Sequence, residues 1–213
     1  MKWLADTLTS SIGKKLLMAL TGFCFCLFLT AHLAGNLTLF GGKSMFNGYA
    51  EHLHSLGVIL IVMNWGLLTL ALIHIFTGLT LFYQNFRSRP NRYAVNKNGG
   101  GRTIGSRTMP YTGVLMLAFI IFHLINFHFA DKSQTTIYDI VTSAFNRPIY
   151  SVLYVLAMII TAVHVSHGFW SAFQTVGANH PKYMPMLRTL GVLFALAVGI
   201  GFGLLPIYIS ISA

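Results

Sequence analysis

Residues 158–177, MIITAVHVSHGFWSAFQTVG, contain no Asp, Glu, Lys or Arg, and His164 lies within them among apolar side chains. The uncharged run around this segment extends from residue 148 to residue 181. A backbone in hydrocarbon must satisfy its own hydrogen bonds, so the segment predicts a membrane-spanning helix. An ionisable side chain inside such a helix is costly, and it is by default a candidate functional residue.

Three other uncharged, apolar runs repeat this pattern. His32 lies in TAHLAGNL, His74 in ALIHIFTGL and His123 in IIFHLINFHF. Any account of the protein must therefore explain four apolar helices that each carry one interior histidine.

The composition is that of a membrane protein. The 213 residues are 55% hydrophobic and only 8% charged, whereas soluble domains are about 25% charged. A helix of about 20 apolar residues crosses about 30 Å of hydrocarbon. We predict one all-α membrane domain over residues 1–213, in which four of five transmembrane helices, those with an interior histidine, form a bundle. The predicted spans lie near 13–39, 58–84, 110–130, 149–175 and 187–211.

The basic residues divide unevenly between the two sides of the membrane. If the amino terminus is cytoplasmic, eleven of the 14 Lys and Arg residues fall on that side. This is the positive-inside pattern, so we predict a cytoplasmic amino terminus and an outside carboxyl terminus. The pattern accounts for the net charge of +10 without a nucleic-acid partner. Residues 1–11, with Trp3, are expected to lie along the cytoplasmic interface.

The inner loop 85–109 carries six basic residues, no acidic residue and three successive glycines. Such a loop is too polar and too glycine-rich to form a core of its own. It either sets the topology or provides a docking surface for a cytoplasmic partner, and the two roles are compatible. The predicted outer loops, 41–57 and 131–147, carry the remaining three basic residues.

The chain contains an internal repeat. The motif Thr-Gly, nine residues, His-Leu occurs at 21–33 and again at 112–124. The second and fourth spans each place a glycine four residues after the histidine. Both halves run in the same direction, as in repeats related by an axis along the membrane normal. The glycine-rich fifth span lies outside the repeat and is expected to pack closely on a neighbouring helix.

Position along each helix predicts the depth of each histidine. Counted from the nearest loop residues, His32 and His123 lie at an outer level, and His74 and His164 at an inner level. Two imidazoles that face each other at one level are the axial ligands that a haem iron takes. Without a C-x-x-C-H motif the haems would be non-covalent b-type. We therefore predict that the four helices form a haem-binding bundle, with two b haems that make an electron path across the membrane.

Other readings of these histidines remain open. A single intramembrane histidine is more often a hydrogen-bonded polar group or a proton relay, although four in two pairs favour haem. Zinc would need all four at one level, which the predicted depths disfavour. Gly78 and Gly168 would leave room for a flat ring. His167 is expected to contact a haem propionate or a neighbouring helix, although it could replace His164 as a ligand.

The motifs TAHLAGNL, HLINF and HVSHGFWSAFQTVG resemble the membrane anchor of the succinate:quinone oxidoreductase superfamily. The chain is most similar to the single-subunit, five-helix, dihaem cytochrome b of bacterial succinate dehydrogenases and fumarate reductases, and the resemblance covers nearly its whole length. It implies an inner haem ligated by His74 and His164 and an outer haem ligated by His32 and His123.

The resemblance also implies a place in a larger enzyme. Such anchors bind a flavoprotein subunit and an iron–sulfur subunit on the cytoplasmic side of the bacterial inner membrane. They carry electrons between dicarboxylate chemistry in those subunits and a quinone, here of the menaquinone type. The chain would be the quinone-reactive subunit of the enzyme and would contain no dicarboxylate active site.

A quinone site near the outer haem needs a group that exchanges protons. Glu51 is the only acidic residue between the first two spans, and it is our candidate, with His52 or His54 as a helper. Alternatively Glu51 is a solvated loop carboxylate. Two rival functions remain: a haem b anchor of a formate dehydrogenase or hydrogenase type, and a haem-free proton-coupled transporter.

Overall fold

The structure is a computed structural model that describes residues 2–88 and 103–212. These residues form helices, turns and loops without any strand, and five helices are long and apolar enough to cross a membrane. The prediction of an all-α, multi-pass membrane protein is confirmed. The helices are α1 (Lys2–Thr9), α2 (Ser11–Leu37), α3 (Gly42–Ser55), α4 (Val58–Arg87), α5 (Ile104–His123), α6 (Ile137–Phe145), α7 (Pro148–Thr175) and α8 (Met184–Ser212).

The bundle of long helices has two ends. We call the end that carries α1, the α4–α5 connection and the α7–α8 connection the N side, and the end that carries α3 and α6 the C side. On the N side, α1 is a short helix, and Trp3 on it is exposed. Most of the predicted basic loop falls on residues 89–102, which lie outside the described residues.

The third long helix begins earlier than predicted. The Thr103 hydroxyl accepts a hydrogen bond from the Ser106 N–H at 3.1 Å, and the Ser106 hydroxyl oxygen accepts one from the Thr103 N–H at 3.0 Å. This reciprocal cap satisfies two amide groups at the helix start. Helix α5 therefore starts at Ile104 rather than near Pro110, which lies inside the helix. A π-helical turn, Leu124–His128, continues α5 toward the C side.

The two predicted outer loops are largely helical, which corrects the prediction. Helix α3 occupies most of segment 41–57, and α6 lies within segment 131–147. The two short helices contact each other, because the Asn47 side-chain oxygen accepts a hydrogen bond from the Tyr138 N–H at 3.1 Å. Together they cover the C-side end of the long helices.

Four long helices form a closed ring around a shared interior. Along the ring α2 contacts α4, α4 contacts α5, α5 contacts α7, and α7 contacts α2. The diagonal pairs, α2 with α5 and α4 with α7, barely touch within the described residues. Each diagonal pair therefore faces across the bundle interior. Helix α8 packs outside the ring along α7 and also reaches α2.

Glycines bring α8 close to α7. A Cβ atom on Gly199 would lie 2.9 Å from Cβ of Ala162, and one on Gly191 would lie 3.1 Å from the Ser166 carbonyl oxygen. Both distances are too short for a side chain without a shift of the neighbour. The prediction that the glycines of the fifth span allow close helix packing is confirmed.

A buried apolar cluster closes the C side of the bundle. It joins both short helices to α7 and α8, so the C-side ends of the long helices are fixed by packing as well as by hydrogen bonds. The cluster consists of Leu39, Phe46, Val141, Phe145, Tyr154, Leu205 and Ile209.

An exposed ion pair also joins α3 to α6. Lys43 Nζ lies 2.8 Å from Asp139 Oδ1. The Lys43 ammonium, and after it the Thr136 hydroxyl, donates to the carboxylate and lowers the pKa of Asp139 below its ordinary value. A carboxyl group with a lowered folded pKa stabilises the fold above its unfolded pKa, and this contribution disappears as the pH falls through the folded value.

We therefore expect Asp139→Asn to lower the apparent Tm slightly at pH 7, because exposed ion pairs contribute little. The difference from the wild type should shrink as the pH falls below about 4 and disappear once the folded carboxyl group is also protonated. Thermal unfolding in detergent at pH 7 and pH 3 measures both values, and Lys43→Met should behave in the same way. A difference that persists unchanged at pH 3 would contradict this role of the carboxylate.

Candidate functional site

The C-side histidine pair lies on one diagonal of the bundle. The imidazole rings of His32 on α2 and His123 on α5 have centroids 6.0 Å apart and planes at 89°. Both residues are half-buried. Aromatic rings surround them: Phe28 and Phe202 contact His32, and Phe119, Phe127 and Tyr154 contact His123.

The spacing of this pair fits axial ligation of a haem iron. With metal–nitrogen bonds of about 2 Å and ring centres about 1 Å behind each nitrogen, opposed imidazoles have centroids about 6 Å apart. Perpendicular ring planes are compatible with this arrangement, since both can contain the nitrogen–iron–nitrogen axis. His32 and His123 therefore have the chemistry and the separation that a bis-histidine haem needs.

The N-side histidines lie on the other diagonal pair of helices, and a threonine holds each of them. His74 Nδ1 on α4 lies 2.8 Å from Thr21 Oγ1 on α2. His164 Nδ1 on α7 lies 3.0 Å from Thr112 Oγ1 on α5. The two contacts are equivalent in the internal repeat. Within each half of the repeat, the first long helix thus carries the threonine that contacts the histidine of the second long helix.

The threonine contacts give the separation between the two levels. Thr21 comes eleven residues before His32 on α2, and Thr112 comes eleven residues before His123 on α5. At 1.5 Å per helical residue, eleven residues span about 16 Å. His74 and His164, at the height of their threonines, therefore lie about 16 Å from the C-side pair along the bundle. This agrees with the predicted division into two levels.

Glycines of the repeat lie against the N-side rings. A Cβ atom on Gly22 would lie 3.8 Å from His74 Cε1, and one on Gly113 would lie 3.5 Å from His164 Cε1. Each Thr-Gly pair thus contacts one imidazole ring. The threonine hydroxyl lies at hydrogen-bond distance from Nδ1, and the glycine lies beside Cε1, the adjacent ring carbon.

Methionines lie beside the two glycines that were predicted to leave room for a ring. A Cβ atom on Gly78 would lie 3.5 Å from Met18 Cε, and one on Gly168 would lie 4.0 Å from Met109 Cε. The space next to these glycines therefore borders methionine tips in both halves. An unbranched thioether side chain adapts readily to a neighbouring group.

His167 lies at a contact between helices. Its Nδ1 is 3.3 Å from Thr103 Oγ1 at the start of α5, and its ring meets the Trp170 ring edge-on at 4.8 Å. Arg188 on α8 lies over the same indole, with 4.8 Å between its guanidinium carbon and the ring centroid. We predicted that His167 contacts a haem propionate or a neighbouring helix. The structure shows a contact with a neighbouring helix, α5.

Glu51 lies on the exposed surface of α3. Its carboxylate has no hydrogen bond or ion pair within the described part of the chain. Its neighbours His52 and His54 are also exposed, and His54 Nδ1 donates to the Ala50 carbonyl oxygen at 2.7 Å. Helix α3 contacts the bundle through Phe46, which is buried in the C-side cluster, rather than through Glu51. The structure therefore leaves this candidate on the exposed surface of the C side.

Thr21 and Thr112 contact the N-side histidines, a role that the sequence pattern alone does not reveal. In the sequence they are only part of the repeated motif. Their fixed position, eleven residues before a histidine in both halves, was the available signal. No three His, Cys, Asp or Glu side chains in residues 2–88 and 103–212 gather as a metal site, whereas axial ligation of a haem needs only two imidazoles.

No protein-family model, curated protein or solved structure matches this chain. Its own residues must therefore carry any functional conclusion. The arrangement places two pairs of histidines, one above the other, on opposite helices of the ring. The chain is an all-helical, multi-pass membrane protein in which each helix of a four-helix ring carries one such histidine.

Proposed function

We propose that this chain is the membrane-anchor cytochrome b subunit of a bacterial succinate dehydrogenase or fumarate reductase. In this role it carries electrons between a menaquinone-type quinone and the flavoprotein and iron–sulfur subunits of the complex. The observation that supports the proposal most strongly is the position of the four interior histidines. Two histidine pairs lie on opposite helices at two levels about 16 Å apart along the bundle.

The histidines would be the axial ligands of two b haems. His32 and His123 would hold the C-side haem, and His74 and His164 the N-side haem. When bound, each haem iron supplies a one-electron carrier at its level. The chain positions the imidazoles on packed helices, and the aromatic rings around the C-side pair exclude water from that level.

The N side would face the cytoplasm. The positive-inside pattern supports this orientation, because seven of the ten Lys and Arg residues that the structure describes lie on the N side. The soluble subunits would dock there, next to the N-side haem. Some of these basic residues are already engaged within the chain: Lys14 Nζ donates to the Gln84 side-chain oxygen at 3.1 Å, and Arg188 lies over Trp170.

The quinone would react on the C side. Glu51 is exposed there on α3, and nothing in the described residues pairs with its carboxylate. A carboxylate in contact with water can take up and release protons as the quinone is reduced or oxidised. Glu51 is therefore our proposed group for proton exchange, with the exposed His52 or His54 as its helper.

Gentle purification of the chain with its partners tests this function. We expect two b haems per chain by pyridine haemochrome assay, together with copurified flavin and iron–sulfur proteins and succinate dehydrogenase or fumarate reductase activity. A nickel- or molybdenum-containing partner would instead identify a hydrogenase or formate dehydrogenase anchor. A reduced-minus-oxidised spectrum without b-type bands would overturn the cytochrome assignment and favour a transporter.

A further inference from the structure

Two buried threonine hydroxyls are bonded in the same way in both halves of the repeat. Thr21 is 4% exposed and Thr112 is 7% exposed. Thr21 Oγ1 lies 2.7 Å from the Leu17 carbonyl oxygen, and Thr112 Oγ1 lies 3.0 Å from the Thr108 carbonyl oxygen. A carbonyl oxygen only accepts hydrogen bonds, so each hydroxyl donates its single proton to its own helix.

This geometry favours one of the two neutral tautomers of each imidazole. With the threonine proton donated to the helix carbonyl, the hydroxyl oxygen accepts from the histidine, which assigns the N–H to Nδ1 of His74 and of His164. A neutral imidazole has only one N–H group, so Nε2 of each ring keeps a free lone pair. A nitrogen lone pair is what a metal ligand requires. Histidine ligands characteristically donate their other ring N–H to a nearby acceptor, which fixes the ring and raises its basicity.

We propose that Thr21 and Thr112 are positioning residues for the N-side haem: each holds the histidine of the adjacent helix in the orientation and tautomer that present Nε2 to the iron. This inference rests on the proposed function. It also assigns a role to the Thr-Gly motif, because Gly22 and Gly113 let the same two rings lie close to the helix that carries the threonine.

The C-side histidines are held differently. His123 Nδ1 lies 3.4 Å from the Tyr154 hydroxyl, and His32 Nδ1 lies 3.5 Å from the Asn36 side-chain nitrogen. Both contacts are long, and they contribute less than the threonine bonds on the N side. Aromatic packing rather than a short hydrogen bond therefore fixes the C-side rings. The threonine variants should consequently affect one haem and leave the other unchanged.

The same hydrogen bonds also have a purely structural explanation, and another threonine of the chain provides a control for it. Threonines in helices often donate to the carbonyl four residues earlier without any further role. Thr161 on α7 is 4% exposed and donates to the Ala157 carbonyl oxygen at 2.9 Å. It is three residues from His164, so it is a buried hydroxyl of the same kind close to the same level.

Redox titration of the full-length chain in its purified complex tests the proposal, with the b-type bands followed optically. We expect Thr21→Val and Thr112→Val each to raise the midpoint potential of the same haem, because a less basic imidazole stabilises ferric iron less. Loss of that haem, with the other haem still bound, would also support the positioning role. Thr21→Ser and Thr112→Ser, which keep the hydroxyl, should restore the wild-type potential, and Thr161→Val should shift neither haem.

The outcomes separate this inference from the proposed function. A wild-type protein without b-type bands defeats the proposed function itself. If the wild type has both haems, unchanged potentials in the two valine variants, or shifts in different haems, overturn the positioning role. The band of the other haem reports whether each variant has folded. Should one valine variant fail to fold, the other valine variant and the serine pair still decide between the two outcomes.

Discussion

We expect His74→Ala and His164→Ala each to remove the same one of the two proposed haems and to leave the other bound. Each iron of this type needs two axial imidazoles, and alanine offers no ligand. His32→Ala or His123→Ala should remove the other haem. The expected result is about half of the wild-type haem-to-protein ratio in each of the four variants, because one of two sites is lost. The pyridine haemochrome assay gives the ratio, and the redox difference spectrum identifies the remaining haem.

Matched controls come from histidines outside the bundle interior. His128 and His180 are exposed, so replacing either with alanine should leave both haems bound. The decisive comparison is within each pair. If His74→Ala and His164→Ala removed different haems, the diagonal assignment would be wrong even though the protein was a cytochrome.

Gly199→Leu should strongly destabilise the fold by separating α8 from α7. A Cβ atom at this position would already lie 2.9 Å from Ala162 Cβ and 3.4 Å from the Met158 carbonyl oxygen. Since the Ala162 Cβ is fixed to the backbone, rotation of a side chain cannot relieve the clash with it. Overpacked sites of this kind cost about 1–3 kcal/mol, and a leucine at a helix crossing should reach the upper end of that range.

Thermal unfolding in detergent, together with size-exclusion profiles, measures this effect. Gly66→Leu is the matched control, since a Cβ atom on Gly66 of α4 would meet nothing within 4 Å. It should keep the wild-type Tm within a few degrees. A Gly199→Leu protein that was as stable as the Gly66→Leu protein would contradict the close α7–α8 packing.

Hydropathy located the five long helices because the energetic signal for a membrane span is large. The structure places the second span at Val58–Arg87 and the fourth at Pro148–Thr175, close to the predicted 58–84 and 149–175. The start of α5 was missed for a local reason: Arg107 interrupts the apolar run, whereas the cap formed by Thr103 and Ser106 begins the helix at Ile104.

The short helices α3 and α6 could not be read from hydropathy. Both lie in polar segments between spans, and their helical form depends on packing against each other and against the ends of the long helices. Phe46 on α3 and Phe145 on α6 are buried in the same cluster, and only the tertiary structure brings these rings together.

The candidate site was predictable in part. Interior histidines in uncharged runs stand out in a sequence, and their positions along the helices gave two levels. The role of Thr21 was not predictable, because it depends on which neighbour α2 presents to His74 and on where the hydroxyl proton goes. Both facts are properties of the assembled bundle.

The diagonal arrangement has a consequence for how such a chain can arise. The first half of the repeat supplies His32 to one level and His74 to the other, and the second half supplies His123 and His164 in the same way. Neither half completes a pair alone. A polypeptide of half this length would build both histidine pairs only by associating with a second copy of itself, so a symmetric dimer of two-helix hairpins is the simplest ancestor compatible with this architecture.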